Sequence, residues 1–291
     1  MLSRCMARTI SIVGAGRVGR TLGNRLRELG WRIGAVVTRS RASSREAVRA
    51  IGAGAPHARL TRAVFDADII LVATPDGAIA RVASELARIG GSESRGKVVL
   101  HVSGGLDSSA LAPLARRGAA VGSLHPMQTF TGLASPKLDG VIFAVEGDPR
   151  ARRAAQQIAR YLGGVPVTIK GACKPAYHAA AALVAGHALG LLEAATQILV
   201  RAGFTRRRAT AALLPLTRQM LDNFERLGPR AAWTGPIARG DFAVVAKHAK
   251  ALEQFPREFR RAYVALSLLA GRALSSTPAA TIQHLKHKLK K

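Results

Sequence analysis

The sequence predicts a doubly wound α/β domain with a largely parallel sheet, followed by an all-α domain. Three observations predict it. A β-branched run, Thr9–Ile10–Ser11–Ile12–Val13, breaks into Gly14–Ala15–Gly16–Arg17–Val18–Gly19, and a helical pattern (Leu22, Leu26, Leu29) follows at once. Further apolar runs then alternate with helical stretches as far as Ile169. Beyond Lys170 no strand pattern returns. A chain of 291 residues that is 48% hydrophobic can bury two cores, and the composition shift divides it into residues 1–170 and 171–291.

Each glycine of the first turn has a physical task. Gly14 permits the tight turn off the strand, Gly16 lets backbone approach a pyrophosphate, and Gly19 allows close packing of helix on sheet. The helix N-terminus offers unpaired N–H groups and partial positive charge to phosphates. Gly14, Ala15, Gly16, Arg17, Val18 and Gly19 are therefore candidate dinucleotide contacts; a purely structural glycine turn is the alternative.

Residues 31–37 read as a second strand that ends in Thr38–Arg39–Ser40–Arg41. A fold that prefers NAD places an acid here to hold the ribose 2′-hydroxyl. Hydroxyls and arginines stand here instead and suit a 2′-phosphate, so Thr38, Arg39 and Ser40 point to NADP(H). The apolar run Asp68–Ala73 ends in Thr74–Pro75–Asp76, a loop on the ligand-binding edge of such a sheet, with Asp76 also suited to N-capping the helix from Gly77 to Ile89. Lys97–Val102 repeats the pattern and stops at Ser103–Gly104–Gly105. A helix near Ser108–Arg117 precedes the strand Ala119–Leu124, which leads into His125–Pro126–Met127. Val141–Val145 and Val165–Ile169 read as the last strands. Helical stretches follow at Cys173–Ala202, Arg206–Leu227, Phe242–Glu253 and Pro256–Leu274.

Composition excludes several classes. The net charge is +27, but the excess is scattered arginine and aromatics make up only 4%, which argues against a nucleic-acid partner. The charge fits acidic small molecules better. The basic run His284–Lys291 is expected to be a frayed, solvated end. Ala176–Val200 is apolar, but His178, His187 and Glu193 interrupt it, so a buried helix rather than a membrane span is expected. The first ten residues show no secretory pattern, and Cys5 and Cys173 form neither a disulfide framework nor a Cys-x-x-Cys motif, so a cytoplasmic location is expected. No metal-ligand spacing is present.

Three clusters could carry chemistry. Lys174 and His178 lie four apart on one helical face that continues through Ala181, Ala182 and Ala185. A lysine beside a nicotinamide can polarise a carbonyl and supply a proton, with the histidine as its partner. A surface lysine and a satisfied core histidine are the plain alternative. Trp233–Asp241 forms a defined turn in which Thr234 and Arg239 could hold a substrate carboxylate. There Asp241 could cap the next helix and His248 falls near the same face. Ser103, Gly104 and His125 sit at strand ends, where a hydroxyl and backbone N–H groups could face a substrate oxygen.

The stretches Gly14–Gly19, Val72–Asp76, His101–Gly105, Gly122–Phe130, Lys174–His178 and Thr234–Asp241 resemble a two-domain, reductase-like family. Its members have a Rossmann-like domain and a helical domain of unknown function (domain of unknown function 2520). That helical domain is similar to the C-terminal domain of 6-phosphogluconate dehydrogenase. Related dehydrogenases place a catalytic lysine four residues before an asparagine; Lys174 and His178 match the spacing, with histidine in place of asparagine. Ala185–Gly186 stands where the family pattern has Ser-Asn. Ketopantoate reductases share the architecture, and His125–Pro126–Met127 is similar to part of the prephenate dehydrogenase pattern. The resemblance implies a homodimer formed through the helical domain.

These readings converge on an NADP(H)-dependent reductase or dehydrogenase acting on a small anionic carbonyl or hydroxy acid. Lys174 is expected as acid/base, and a dinucleotide-binding sensor without turnover or a deazaflavin-linked oxidoreductase is the rival reading.

Overall fold

The computed structural model describes residues 8–132 and 136–289, which leaves Cys5 and Lys290–Lys291 outside the described residues. The chain forms two compact units, Met1–Ala185 and Gly186–Lys291.

The first unit is built on eight strands: β1 (Thr9–Val13), β2 (Arg32–Val37), β3 (Ala55–His57), β4 (Ile69–Val72), β5 (Val98–His101), β6 (Ala120–Pro126), β7 (Ile142–Gly147) and β8 (Val165–Thr168). Their order in the sheet is β3-β2-β1-β4-β5-β6-β7-β8. Every pairing is parallel except β6 with β7. The helices of this unit are α1 (Arg17–Glu28), α2 (Arg41–Ile51), α3 (Asp76–Gly90), α4 (Ala112–Ala115), α5 (Pro149–Tyr161) and α6 (Lys174–Ala182). Strand β3 is an addition to the sequence reading. Its three residues, Ala-Pro-His, carry no β-branched pattern and owe their extended form to pairing with β2. The expected helix over 108–117 forms only as a 3₁₀ turn, Ser108–Leu111, running into α4.

Strands β1, β4 and β5 read as nearly continuous apolar runs because both faces of the sheet are covered there. Alternation then sorts their residues into two cores. Ile10, Ile12, Ile69, Leu71, Val98 and Leu100 pack with Leu22, Leu26 and Ile158 on one face. Val13, Ile70, Val72 and Val99 pack with Ile79, Val82 and Leu86 on the other. The same period of two places His101, Ser123 and His125 on the second face. Register completes the arrangement: Val72 pairs with His101, His101 with Ser123, and Ser123 with Glu146. Three polar side chains therefore stand in one row across β5, β6 and β7.

The second unit contains α7 (Ala188–Arg201), α8 (Arg206–Leu227), α9 (Pro229–Ala232), α10 (Phe242–Ala251), α11 (Arg257–Leu274) and α12 (Pro278–Leu289). Its boundary falls inside a π-helical turn, Leu183–His187, that joins α6 to α7. A small core gathers Val245, Ala249, Leu285 and Leu289 with Tyr263, Val264 and Leu268. As far as Leu289 the basic C-terminal run is helical rather than frayed. Leu285 and Leu289 fall on one face of α12 and are buried, which anchors the helix while its lysines stay in water.

The expectation of a buried helix at Ala176–Val200 is also corrected. Residues Gly171–Arg201 form one helical stretch long and apolar enough to cross a membrane, with mean hydropathy 1.5 over an 18-residue segment of which only 6% is buried. Leu189, Leu191 and Val200 on α7 are exposed, as are Leu216, Met220, Leu221, Phe224 and Leu227 on α8. Along all 22 residues of α8 only Ala209 is buried.

Candidate active site

The strand order β3-β2-β1-β4-β5-β6 reverses direction at β1/β4, and ligands of open α/β sheets bind at the C-terminal strand ends around such a point. Gly14 has φ +89°, and a Cβ there would lie 2.6 Å from the Thr74 backbone nitrogen, so the β1–α1 and β4–α3 turns close on each other only over glycine. A Cβ at Gly19 would stand 2.6 Å from the Gly14 carbonyl oxygen, which explains the tight helix–sheet approach. Gly16 differs: a Cβ there would meet nothing within 4 Å. No side chain caps α1 at Gly16 and its first turn holds no acid. That is a free, positively polarised helix end with open space before it, the environment a pyrophosphate requires.

At the ends of β2 and β3, a groove of about 790 Å³ is lined by Arg39, Arg41, Arg45, His57, Arg59 and Thr61. Arg39 and Arg41 were legible in the sequence; Arg45, His57 and Arg59 join them only because α2 and β3 fold back onto β2. Thr38 Oγ donates to the Ser40 carbonyl at 3.1 Å, and Ser40 Oγ caps α2 by accepting from Ser43 N–H at 3.1 Å. Both hydroxyls are engaged locally, and the arginines carry the groove's charge.

The polar row ends in a sealed cluster. Pro175 sits in the first turn of α6, where its missing N–H costs nothing, and Lys174 opens the helix. The Lys174 side chain is 0% exposed. Its ammonium donates to the Ser103 carbonyl and to Ser123 Oγ, each at 2.7 Å. Burial pushes Lys174 down to about 8, opposed by the charges of Glu146, Asp107 and Asp76 in that order. His101 is likewise buried. Its Nδ1 accepts from Ser103 N–H at 3.2 Å, which leaves Nε2–H to donate to the Asp107 carbonyl at 3.0 Å. Burial first, then the Lys174 charge, lowers His101 to about 4.

Above Lys174 lies the Ser103–Gly105 turn. Ser103 Oγ accepts from the N–H groups of Gly105 (3.2 Å) and Leu106 (3.0 Å) and donates to Asp76 Oδ2 at 2.9 Å. Asp76 is accordingly the first residue of α3 rather than its N-cap; Pro75 holds the cap position, and the carboxylate serves the turn. Gly104 carries no side chain because the His178 and His125 rings close over it. Their centroids are 5.4 Å apart at 89°. His125 Nδ1 shares a 2.9 Å hydrogen bond with the Tyr177 hydroxyl. Burial, then Lys174 and His178, lowers His125 to about 4, and burial raises Tyr177 to about 12. Both are neutral near pH 7.

The structure thus brings together Lys174, His178, Ser103, Gly104, His125 and Asp76. It adds His101, Ser123, Tyr177 and Glu146, which sequence reasoning passed over. Glu146 left one usable signal: an acid in phase with Ala144 at the end of an otherwise apolar strand. In the second unit Arg239 Nε pairs with Asp241 Oδ2 at 3.1 Å. Asp241 stands at the N-cap of α10 without a side-chain capping bond. His248 Nδ1 meets the Tyr263 hydroxyl at 2.9 Å. A groove of about 490 Å³ there is bounded by Arg230, Trp233, Arg239, Phe242 and His284; Thr234 lies exposed beside Trp233. Among the described residues no group of His, Cys, Asp and Glu could hold a metal ion.

Residues 4–126 match the family described as a Rossmann-like domain, and residues 141–270 match the domain of unknown function DUF2520. No curated protein matches the sequence. Among solved structures, the fold is similar to protein BF3122 of Bacteroides fragilis, provisionally named an NADP oxidoreductase (21% identity, 95% of this chain and 98% of that one, TM-score 0.72). It is similar to protein TM1727 of Thermotoga maritima (23%, 97% and 100%, TM-score 0.68). A reductive aminase of Aspergillus terreus, solved with NADPH, shares it too (17%, 96% and 99%, TM-score 0.65). The chain thus carries a region that matches a Rossmann-like domain followed by a region that matches a DUF2520 domain, an order consistent with a two-domain, reductase-like family.

Proposed function

We propose that the protein is an NADP(H)-dependent reductase or dehydrogenase acting on a small anionic carbonyl or hydroxy acid. The observation that carries this reading is the layout of one sheet edge. The open glycine turn lies at β1/β4, the arginine groove at β2/β3, and the Lys174 cluster at β5/β6. A dinucleotide laid across the switch point spans that order, with its adenosine end toward β2. Gly14–Gly19 would hold the pyrophosphate, Arg39 and its neighbours the 2′-phosphate, and Thr74–Asp76 the nicotinamide half. NADPH, when bound, supplies the hydride. The structural relatives provisionally named or solved as NADP(H) proteins support the same reading.

The chain's own residues account for the proton. Lys174, at about 8, can lose and regain a proton around neutral pH, which suits an acid/base group. Its charge lies directly beneath the Ser103–Gly105 turn, where it favours negative charge developing on a substrate oxygen. His178, exposed one helical turn on, and His125 border the approach over Gly104. Ser103, pinned by Asp76 and Lys174, keeps the turn's N–H groups fixed.

The exposed leucines of α7 and α8 support a homodimer formed through the helical unit, since so large an apolar face is costly in water. Leu221→Glu with Phe224→Glu should then yield monomers in analytical ultracentrifugation, and a parent protein that is already monomeric would refute the dimer. The test of function is NADPH oxidation with a panel of 2-keto acids, aldehydes and imines. Imines are included because a reductive aminase and an imine reductase share the fold. Oxidation with a keto acid supports the reading. Oxidation only when an amine is also supplied would move the substrate class to C=N bonds, and NADPH binding with no oxidation would make the protein a sensor.

A further inference from the structure

We infer that Glu146 is the counter-charge of Lys174, a positioning residue that keeps the sealed ammonium protonated from across the β6–β7 ladder. Glu146 stands directly opposite Ser123 in the antiparallel pairing, and Ser123 Oγ accepts from Lys174 Nζ at 2.7 Å. Directly opposed residues place their side chains about 5 Å apart. Glu146 is 6% exposed. Its Oε2 accepts from Ser108 Oγ at 2.9 Å, while Oε1 is buried without a hydrogen-bond partner among the described residues. Such a carboxylate is costly unless a positive charge compensates it. A Cβ at Gly171, three residues before Lys174, would lie 3.1 Å from Asp107 Cβ and 3.5 Å from Glu146 Oε2, so the segment leading into α6 runs against both acids.

The other charged and titratable neighbours do not replace it. Around Lys174 stand His101 from β5, His125 from β6, Asp107 from the 3₁₀ turn, Asp76 from α3, and Tyr177 and His178 from α6 itself. His101 and His125 are neutral. Asp76 accepts from Ser103 Oγ, and Asp107 accepts from Ser109 N–H within its own turn. Of the three acids, only Glu146 holds a buried carboxylate oxygen with no hydrogen-bond partner among the described residues. A lysine so deeply buried and with no ion-pair contact would shed its proton without that charge.

Only the turnover part of the test rests on the function proposed above. In protein carrying ¹³C-labelled lysine, the Lys174 Cε resonance is identified by its loss in Lys174→Met and titrated with pH. In Glu146→Gln its midpoint should fall by about one unit or more, whereas Glu146→Asp should stay near the parent and Asp76→Asn should move it less than Glu146→Gln does. A parent midpoint in Glu146→Gln overturns the inference. If Glu146→Gln does not fold alone, the double variant Lys174→Met/Glu146→Gln should melt above Lys174→Met, because it removes the stranded carboxylate; an equal or lower melting temperature overturns the inference. The basic limb of turnover should follow the resonance. A resonance that moves while turnover does not supports the counter-charge and removes Lys174 from the reaction.

Discussion

Two positive regions share one sheet edge and are built in opposite ways. The groove at β2/β3 holds its arginines in water on a surface cavity. The cluster at β5–β7 holds one lysine out of water altogether, surrounded by acids, hydroxyls and neutral imidazoles. Guanidinium stays charged wherever it sits and reads phosphate through forked hydrogen bonds, so arginine serves a binding surface. An amine shifts its proton affinity with burial, so lysine serves where a proton must be held near neutrality. The difference separates holding a ligand from handling a proton, and it can be tested from both sides.

The largest effect is expected at the turn between the two regions. Gly16→Val places a branched side chain in space that is open in this structure, so the fold should persist with an unchanged melting temperature. Binding of NADPH should fall below detection in calorimetry. Intact binding would reduce the glycine turn to a fold element and leave the open groove without a ligand.

On the sealed side, Lys174→Met should lower turnover by about 10²–10⁴-fold, the scale of losing a positioned acid or base. Affinity for NADPH should hold, since the arginine groove and glycine turn are untouched. Parent-level turnover in this variant would mean that the buried lysine is structural, and attention would pass to His125 and His178.

The histidines sharpen the contrast through pH. His101 has a folded value near 4 against an unfolded value of about 6.5, so the native state takes up fewer protons between them. The stability that comes from keeping it neutral is fully present above about pH 6.5 and is lost as pH falls through about 4. The change amounts to about 3 kcal/mol. His125 should add a similar loss over the same window. Urea unfolding at a series of pH values checks this, and His101→Gln should flatten part of the slope. A slope unaffected by that change would mean the ring is not held neutral.

How much of this was readable beforehand follows from how local each feature is. The glycine turn and the two-faced strands announce themselves within a few residues, because backbone conformation and burial leave short-range patterns. Lys174 and His178 were legible as a helical pair, and Ser103 and His125 as strand ends. The row His101–Ser123–Glu146 was not, because it exists only through strand register across segments up to 45 residues apart. Arg59 joins Arg39 for the same reason, since β3 carries no strand signature of its own. The helical unit misled in the opposite direction. An apolar stretch such as 176–200 has the composition of a core, yet much of it is exposed, and composition alone cannot tell a buried face from an exposed one.

Calorimetric titration of NADPH and NADH into the parent protein and into Arg39→Ala decides whether the open arginine groove reads the 2′-phosphate of NADP(H). The parent should bind NADPH at least about tenfold more tightly than NADH, and Arg39→Ala should weaken NADPH by about 1–3 kcal/mol while leaving NADH nearly unchanged. Equal affinity of the parent for both nucleotides, or equal weakening of both in the variant, would contradict it.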